Sequence, residues 1–156
     1  MKRFISNALA ESIKLLVRRP DHLQVGALCY RYKKEKLQIL LITSRGTGRW
    51  IIPKGWPMRG KHECLAAQQE AWEEAGVTSG EINSAMIGKY RSKKILPTGV
   101  GLNVETLVYC YEVSELSKEY PEKHQRKRKW FSPKQASKKV VEPELKRLIL
   151  DFASEK

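Results

Sequence analysis

The sequence predicts an α/β domain, and three stretches carry that prediction. Residues 24–43 read as two apolar strands joined by a polar turn at Lys33 to Lys36. The stretch after Gly60 has good helix formers and stops at Gly76, a natural C-cap. Further on, 102–113 reads as a long strand, and Leu145, Leu148, Ile149 and Phe152 form the core-facing stripe of a last helix.

Size and charge bound what such a domain can be. At 156 residues the chain holds one domain with a real core and is too short for two ordinary ones. Thirty Lys and Arg against 17 Asp and Glu leave a net charge of +13. So basic a surface calls for an anionic partner, whether a small polyphosphate, nucleic acid or an anionic membrane. The three cysteines, Cys29, Cys64 and Cys110, have no metal-ligand spacing, and two of them lie in apolar strand-like runs. A reduced, cytoplasmic protein fits this usage. No run approaches the roughly 18 apolar residues of a membrane span. Asn7, Glu11 and Lys14 interrupt the N-terminal apolar residues, which argues against a secretory signal.

Residues 1–22 read as an N-terminal extension, and 23–156 as the domain itself. Ile5, Leu9, Ile13 and Leu16 recur at helical spacing, predicting an amphipathic helix that ends before Pro20. That helix is expected to pack on the domain or on a second subunit rather than on a membrane. In the domain, 24–32 and 37–43 are strands, and the unbroken apolar run of the second predicts burial on both faces. Residues 44–49 are a polar loop whose glycines let backbone N–H groups approach an anion. Arg45 and Arg49 can grip phosphates bidentately. A solvated hairpin would look similar, but this loop lies just before Trp50 to Gly55, within reach of the helix that follows. Ser44, Arg45, Arg49 and Lys54 are therefore the expected phosphate ligands.

Pro53, Gly55, Pro57 and Gly60 break regular structure and constrain how the chain enters that helix. At about 100° per residue, Glu63, Glu70, Glu73 and Glu74 fall on one side, and Leu65, Trp72 and Ala75 on the other. The expectation is an apolar back to bury and a front of four carboxylates. Like charges at these spacings repel one another, so the front costs stability unless cations neutralise it. Clustered hard oxygen donors suit Mg²⁺ or Mn²⁺, ions that also hold water and substrate phosphate oxygens. A solvated acidic face is the ordinary reading of such a stretch; the constrained loop with Lys54 beside it favours a metal site.

Beyond the helix, 78–81 reads as a turn, 82–95 as one or two strands, and 97–101 as a break. Glu105 and Glu112 on the long strand could face the metal site. Residues 114–122 read as a loop or short helical turn, and 123–129 are the densest basic run. If 126–131 is a strand, Arg126 and Arg128 point one way and Lys127 and Lys129 the other. One basic face is then expected to bind phosphate, with Trp130 and Phe131 anchored in the core. Such a run could also bind single-stranded nucleic acid. Ser132 and Pro133 supply the N-cap and first turn of a short helix, and Pro143 opens the last one.

The stretch from Gly55 to Val77 resembles the Nudix box: glycine, five residues, glutamate, seven residues, Arg-Glu, an aliphatic, any residue, Glu-Glu, any residue, glycine, aliphatic. Gly55 falls on the first glycine, Glu70 on the glutamate of Arg-Glu and Ala71 on the aliphatic. Glu73 and Glu74 fall on the Glu-Glu pair, and Gly76 and Val77 close the motif. Two positions depart from it: Lys61 replaces the first glutamate and Gln69 replaces the arginine. The family's arginine orients and neutralises the glutamates, whereas a neutral Gln69 can only donate hydrogen bonds. Glu63, on the glutamate face, is the candidate substitute for the missing carboxylate.

The resemblance extends over about residues 24–152 and implies an α/β/α sandwich around a mixed β-sheet. Thr43-Ser44-Arg45, Pro53-Lys54-Gly55-Trp56 and Arg128-Lys129-Trp130-Phe131 look most like the diphosphoinositol polyphosphate and diadenosine polyphosphate hydrolases. It implies a hydrolase of phosphoanhydride bonds, most of all in dinucleoside polyphosphates. Glu70, Glu73 and Glu74 would be catalytic, holding Mg²⁺ or Mn²⁺ with the Gly55 carbonyl. The general base stays open among Glu63, Glu105, Glu119 and Glu122. The alternatives are an RNA 5′-end pyrophosphohydrolase, or a Nudix fold weakened by Lys61 and Gln69 into a nucleotide- or nucleic-acid-binding module.

Overall fold

A computed structural model describes residues 22–156. The expected amphipathic helix at 1–22 therefore lies outside the described residues, except for His22, which begins a strand. The elements in order are β1 (His22–Lys33), β2 (Lys36–Thr43), β3 (Trp50–Ile51), β4 (Lys54–Gly55), α1 (Glu63–Ala75), β5 (Val77–Ile82), β6 (Gly88–Ile95), β7 (Gly101–Leu116), β8 (Arg128–Phe131), α2 (Pro133–Lys139) and α3 (Pro143–Ser154). No described helix is long and apolar enough to cross a membrane.

The sheet is mixed. Its main path runs β3-β2-β1-β7-β5, with β4 on β1, β6 on β7 and β8 on β2. β1 and β7 run parallel, Gln24 opposite Thr106 and Cys29 opposite Tyr111, while the other pairings are antiparallel. β1 and β2 meet in a hairpin whose Lys34 and Glu35 both take positive φ, 50° and 63°, the twist a two-residue turn needs to keep its strands paired.

Strand alternation sorts the core into two layers. Val25, Ala27, Leu40, Ile42 and Tyr109 pack under α1. Leu28, Ile39, Leu41 and Val108 pack against Ala136 of α2 and Leu145 and Ile149 of α3. The expected α/β/α sandwich is the observed architecture. The apolar run of β2 is indeed buried from Ile39 to Ile42, and α3 buries Leu145, Ile149 and Phe152 as its stripe predicts.

Two local expectations change. Residues 78–81, composed like a turn, belong to strand β5. The cause is tertiary: β5 pairs with the far half of β7 through two register shifts, and a Cβ on Gly80 would lie 2.1 Å from the Glu112 carbonyl oxygen. The buried face of α1 is also rotated from the expected one. It consists of Cys64, Ala66, Ala67, Ala71, Glu74 and Ala75, whereas Leu65 is 46% exposed and Trp72 is only partly buried. Small side chains let the helix lie close on the sheet, and the burial of Glu74 selects which side faces inward.

The Nδ1 of His62 accepts the Cys64 N–H at the start of α1. At its end Gly76 takes φ 74°, and its N–H returns to the Trp72 carbonyl. A Cβ there would also meet the Arg128 guanidinium at 2.5 Å and the Tyr120 ring at 2.6 Å. Gly76→Ala is expected to lose about 1–3 kcal/mol of stability, read as a lower urea midpoint. An unchanged midpoint would contradict a required left-handed cap.

Candidate metal and phosphate site

The site is organised by Glu74. Its side chain is 8% exposed and that of Arg126 is 6% exposed, with Arg126 Nη2 3.0 Å from Glu74 Oε1. The second oxygen, Oε2, accepts the backbone N–H of Lys54 at 3.2 Å. Helix α1 is thereby tied both to β4 and to the segment leading into β8. Arg126 also reaches Glu122 at 3.3 Å and donates to the Thr43 carbonyl at 3.1 Å. Its Nε is buried without a partner among the described residues.

Glu70 lies one helical turn back, against Gly55. A Cβ on Gly55 would fall 2.2 Å from the Glu70 carboxylate, so β4 can pass this close to α1 because position 55 has no side chain. Burial pushes the Glu70 carboxyl up to about 7, with the charges of Glu73 and Glu122 adding to it. Burial also pushes Glu74 up to about 7, although Arg126 and the Lys54 N–H pull the other way. Burial therefore favours the protonated form of both carboxyls unless further positive charge is supplied.

These residues fit a hard divalent cation. The donors are carboxylate oxygens, the Gly55 cradle would be filled by a Cβ, and the part-buried Glu70 and buried Glu74 both resist ionising without added positive charge. Among the described residues no group of three acidic, His or Cys side chains is placed to hold a metal ion by itself. Mg²⁺ characteristically uses one or two carboxylates and completes its shell with water and substrate phosphate.

The two departures from the Nudix box turn out to be linked. Lys61 Nζ donates to Gln69 Oε1 at 2.5 Å, and Gln69 Nε2 donates to Glu73 Oε1 at 3.1 Å. Gln69 thus still orients Glu73, without a charge of its own. The cation on the glutamates comes from Arg126. Glu63 is placed beside His62 at 3.9 Å and near Tyr109, two helical turns or about 10 Å along the axis from Glu70. It does not join the cluster.

The 44–49 loop does reach the cluster. Arg45 Nη1 lies 3.2 Å from Glu122 Oε1 and also bonds Gln125, and its charge is felt at Glu70. Ser44 Oγ bonds Thr47 Oγ1 at 2.7 Å and accepts the Arg49 N–H, which shapes the loop. Arg49 lies 3.9 Å from Glu142. Lys54 is more enclosed than expected: its Nζ donates to the buried Gln24 at 3.1 Å, and burial lowers its pKa while Glu142 and Glu74 oppose that shift. Gln24 and Glu142 gave no sequence signal, because each matters only through a partner distant in the chain.

The basic run splits into two faces as alternation predicts, with the strand shorter than expected. β8 begins at Arg128, and Arg126 and Arg128 do share a direction, but that direction is inward. Arg128 donates to the Ala75 carbonyl at 2.7 Å and stacks on Tyr120 at 4.6 Å. This face is engaged within the protein, while Lys127 and Lys129 remain exposed. Phe131 is buried as expected; Trp130 is partly buried, with Arg31 over its ring at 4.1 Å. Glu105 pairs with Lys89, and Glu112 accepts from the Tyr30 hydroxyl. Glu119 is exposed and paired with Lys123. An open concavity of about 510 Å³ lies on another flank of α1, lined by Leu65, Gln68, Trp72 and Tyr111, and contains none of the clustered glutamates.

A mixed sheet between helix layers, with clustered glutamates on the first helix and a glycine beneath them, defines the class. The NUDIX domain family model matches residues 20–152, and the chain belongs to the Nudix family. It is 30% identical over 117 residues to human diphosphoinositol polyphosphate phosphohydrolase 3-beta, covering 74% of this chain and 66% of that protein. Nudix hydrolase 21, chloroplastic, of Arabidopsis thaliana is 34% identical over 117 residues, covering 72% of this chain and 56% of that protein. The chain thus spans somewhat under two thirds of the length of these relatives. Among solved structures, a C. elegans Ap4A hydrolase superposes with a TM-score of 0.61 at 23% identity, over 85% of this chain and 96% of that one. A NUDIX hydrolase from Nitrosomonas europaea gives 0.66 at 20% identity, over 88% and 91%. These two likenesses establish the fold.

Two measurements follow from the cluster. The folded-state pKa values of Glu70 and Glu74 lie above their unfolded values, so their contribution is fully present below about pH 4.5 and is lost as pH rises through about 7. The metal-free protein should therefore lose thermal stability between pH 5 and 8, and Mg²⁺ should raise the melting temperature more at pH 8 than at pH 5. A metal effect equal at both would contradict this account. Separately, Arg126→Ala leaves Glu74 buried without its cation and should cost about 3–5 kcal/mol at pH 8. Chemical denaturation at pH 5, where Glu74 holds a proton, should show a clearly smaller loss.

Proposed function

We propose that this protein is a divalent-metal-dependent pyrophosphohydrolase that cleaves a phosphoanhydride bond in a nucleoside-diphosphate-linked or polyphosphate substrate, with dinucleoside polyphosphates as the leading class. One observation supports the reading: the glutamates of α1 and the Arg45-bearing 44–49 loop meet around Glu122, so the proposed phosphate grips and metal donors would lie together. The phosphohydrolase relatives and the basic surface support it.

In this reading Glu70, Glu73 and Glu74, with the Gly55 carbonyl, would hold Mg²⁺ or Mn²⁺. When bound there, such an ion would neutralise phosphate oxygens and make a coordinated water more acidic. Arg126 and the Lys54 N–H hold Glu74 in one orientation, and Gln69 does the same for Glu73. Arg45 and Arg49 are exposed enough to turn from their carboxylate partners onto substrate phosphates. Lys54, held by Gln24, contributes charge from beneath. Of the four carboxylates open as proton acceptor, Glu122 is the one the fold brings beside Glu70 and Glu74.

The test is product release with Mg²⁺ from diadenosine polyphosphates, triphosphorylated RNA, ADP-ribose and nucleoside triphosphates. Glu73→Gln should lower turnover at least roughly 10–100-fold, the range seen when even an outer-shell partner of a metal is lost. Glu73 is the better position to change, since Glu74→Gln also breaks the buried pair with Arg126. Turnover of RNA ends alone would move the substrate class. Tight binding without turnover would replace the enzyme with a recognition module, the alternative that Lys61 and Gln69 motivate.

A further inference from the structure

Trp56 follows Gly55 in the chain, directly beside the glycine that cradles Glu70. Trp50, Trp72 and Trp130 are all partly buried, whereas Trp56 is 42% exposed. Gly55 pairs with Val25 of β1, which holds the start of the Trp56 loop against the sheet, and Pro57 restricts the tryptophan's own backbone. His22 meets the indole edge-on, with centroids 5.5 Å apart and planes at 70°. Lys94 Nζ lies 5.1 Å from the ring centroid, and its charge is also felt at Lys54. The rim of the site therefore combines an accessible aromatic face with a cation that borders both the ring and the phosphate side.

Single exposed aromatics are ordinary, and the placement is what distinguishes this one. A polyphosphate running over Lys54, Arg45 and Arg49 would leave its organic group near this ring. An inositol polyphosphate offers charge on every side and no planar π face, so it would be recognised by cations. A nucleobase is planar and apolar on both faces, and stacking on an aromatic ring accepts any base.

We propose that Trp56 is a stacking platform for the nucleobase of a nucleoside polyphosphate, with Lys94 moving from the ring to a phosphate when the base arrives. The proposal rests on the phosphoanhydride-hydrolase reading of the same site and narrows its substrate to base-bearing compounds.

The experiment compares the full-length protein with Trp56→Ala and Trp56→Phe on two substrates, diadenosine tetraphosphate and a diphosphoinositol polyphosphate. Calorimetric binding of ADP with and without Mg²⁺ is measured alongside. Trp56→Ala should raise the KM for the dinucleotide and the Kd for ADP by roughly tenfold or more, and move the inositol substrate by no more than about twofold. Trp56→Phe should keep most of the affinity. An equal loss on both substrates, or a loss on neither, would overturn the platform while leaving the hydrolase intact. ADP binding that depends on Trp56 without any turnover would keep the platform and remove the hydrolase. No binding and no turnover would remove both. Unchanged melting temperatures for both variants would exclude a folding effect, as expected for an exposed side chain.

Discussion

The ion pair between Glu74 and Arg126 is the contact on which the site depends, because it places a charge inside the protein on each of two elements far apart in sequence. A carboxylate and a guanidinium, both more than nine-tenths buried, stay there only if each is satisfied by the other and by further hydrogen bonds. Glu74 has the Lys54 N–H as its second donor, and Arg126 has the Thr43 carbonyl and Glu122 as further acceptors. These contacts draw α1, β4, the end of β2 and the segment before β8 to one point. They also set the rotation of α1 on the sheet, since Glu74 can be buried only if that side of the helix faces inward. Leu65 is left exposed and Trp72 only partly buried as a result.

The chemistry of the site follows from that rotation. Turning Glu74 inward leaves Glu70 over Gly55 and Glu73 toward Gln69, so the carboxylates have three different environments. Glu70 and Glu74 are desolvated and resist ionising, while Glu73 accepts a hydrogen bond from the neutral Gln69 amide. The replacement of the motif's arginine by Gln69 is tolerated structurally because positive charge arrives from across the sheet. The segment leading into β8, fifty-two residues downstream of Glu74, delivers it. A motif read along one helix could show the loss of the arginine but not its replacement.

Much of the remaining basic character is local. Arg45, Arg49 and Arg126 all have carboxylate partners, which holds them in place without burying the first two. Exposed pairs of this kind contribute little stability. Their effect is to hold cations beside the clustered glutamates, alongside an exposed aromatic ring.

How much was legible in the sequence depends on the range of the signal. The hairpin of β1 and β2, the buried run of β2, the cap at Gly76, the Ser132 N-cap and the stripe of α3 all follow from residues within a turn or two of one another. So did the glutamates, because helical periodicity and the box spacing are both local. The strand at 77–82 was not legible, since its turn-like residues are held extended by pairing with β7. Nor was the partnership of Glu74 with Arg126, Lys54 with Gln24, or Arg49 with Glu142. Alternation correctly put Arg126 and Arg128 on one face, but which face met the protein depended on where β8 paired. The chain by itself therefore determined its elements, its charge and its acidic helix. Tertiary structure decided which charges were buried and paired, because desolvation and ion pairing are set by neighbours in space and have no period along the sequence.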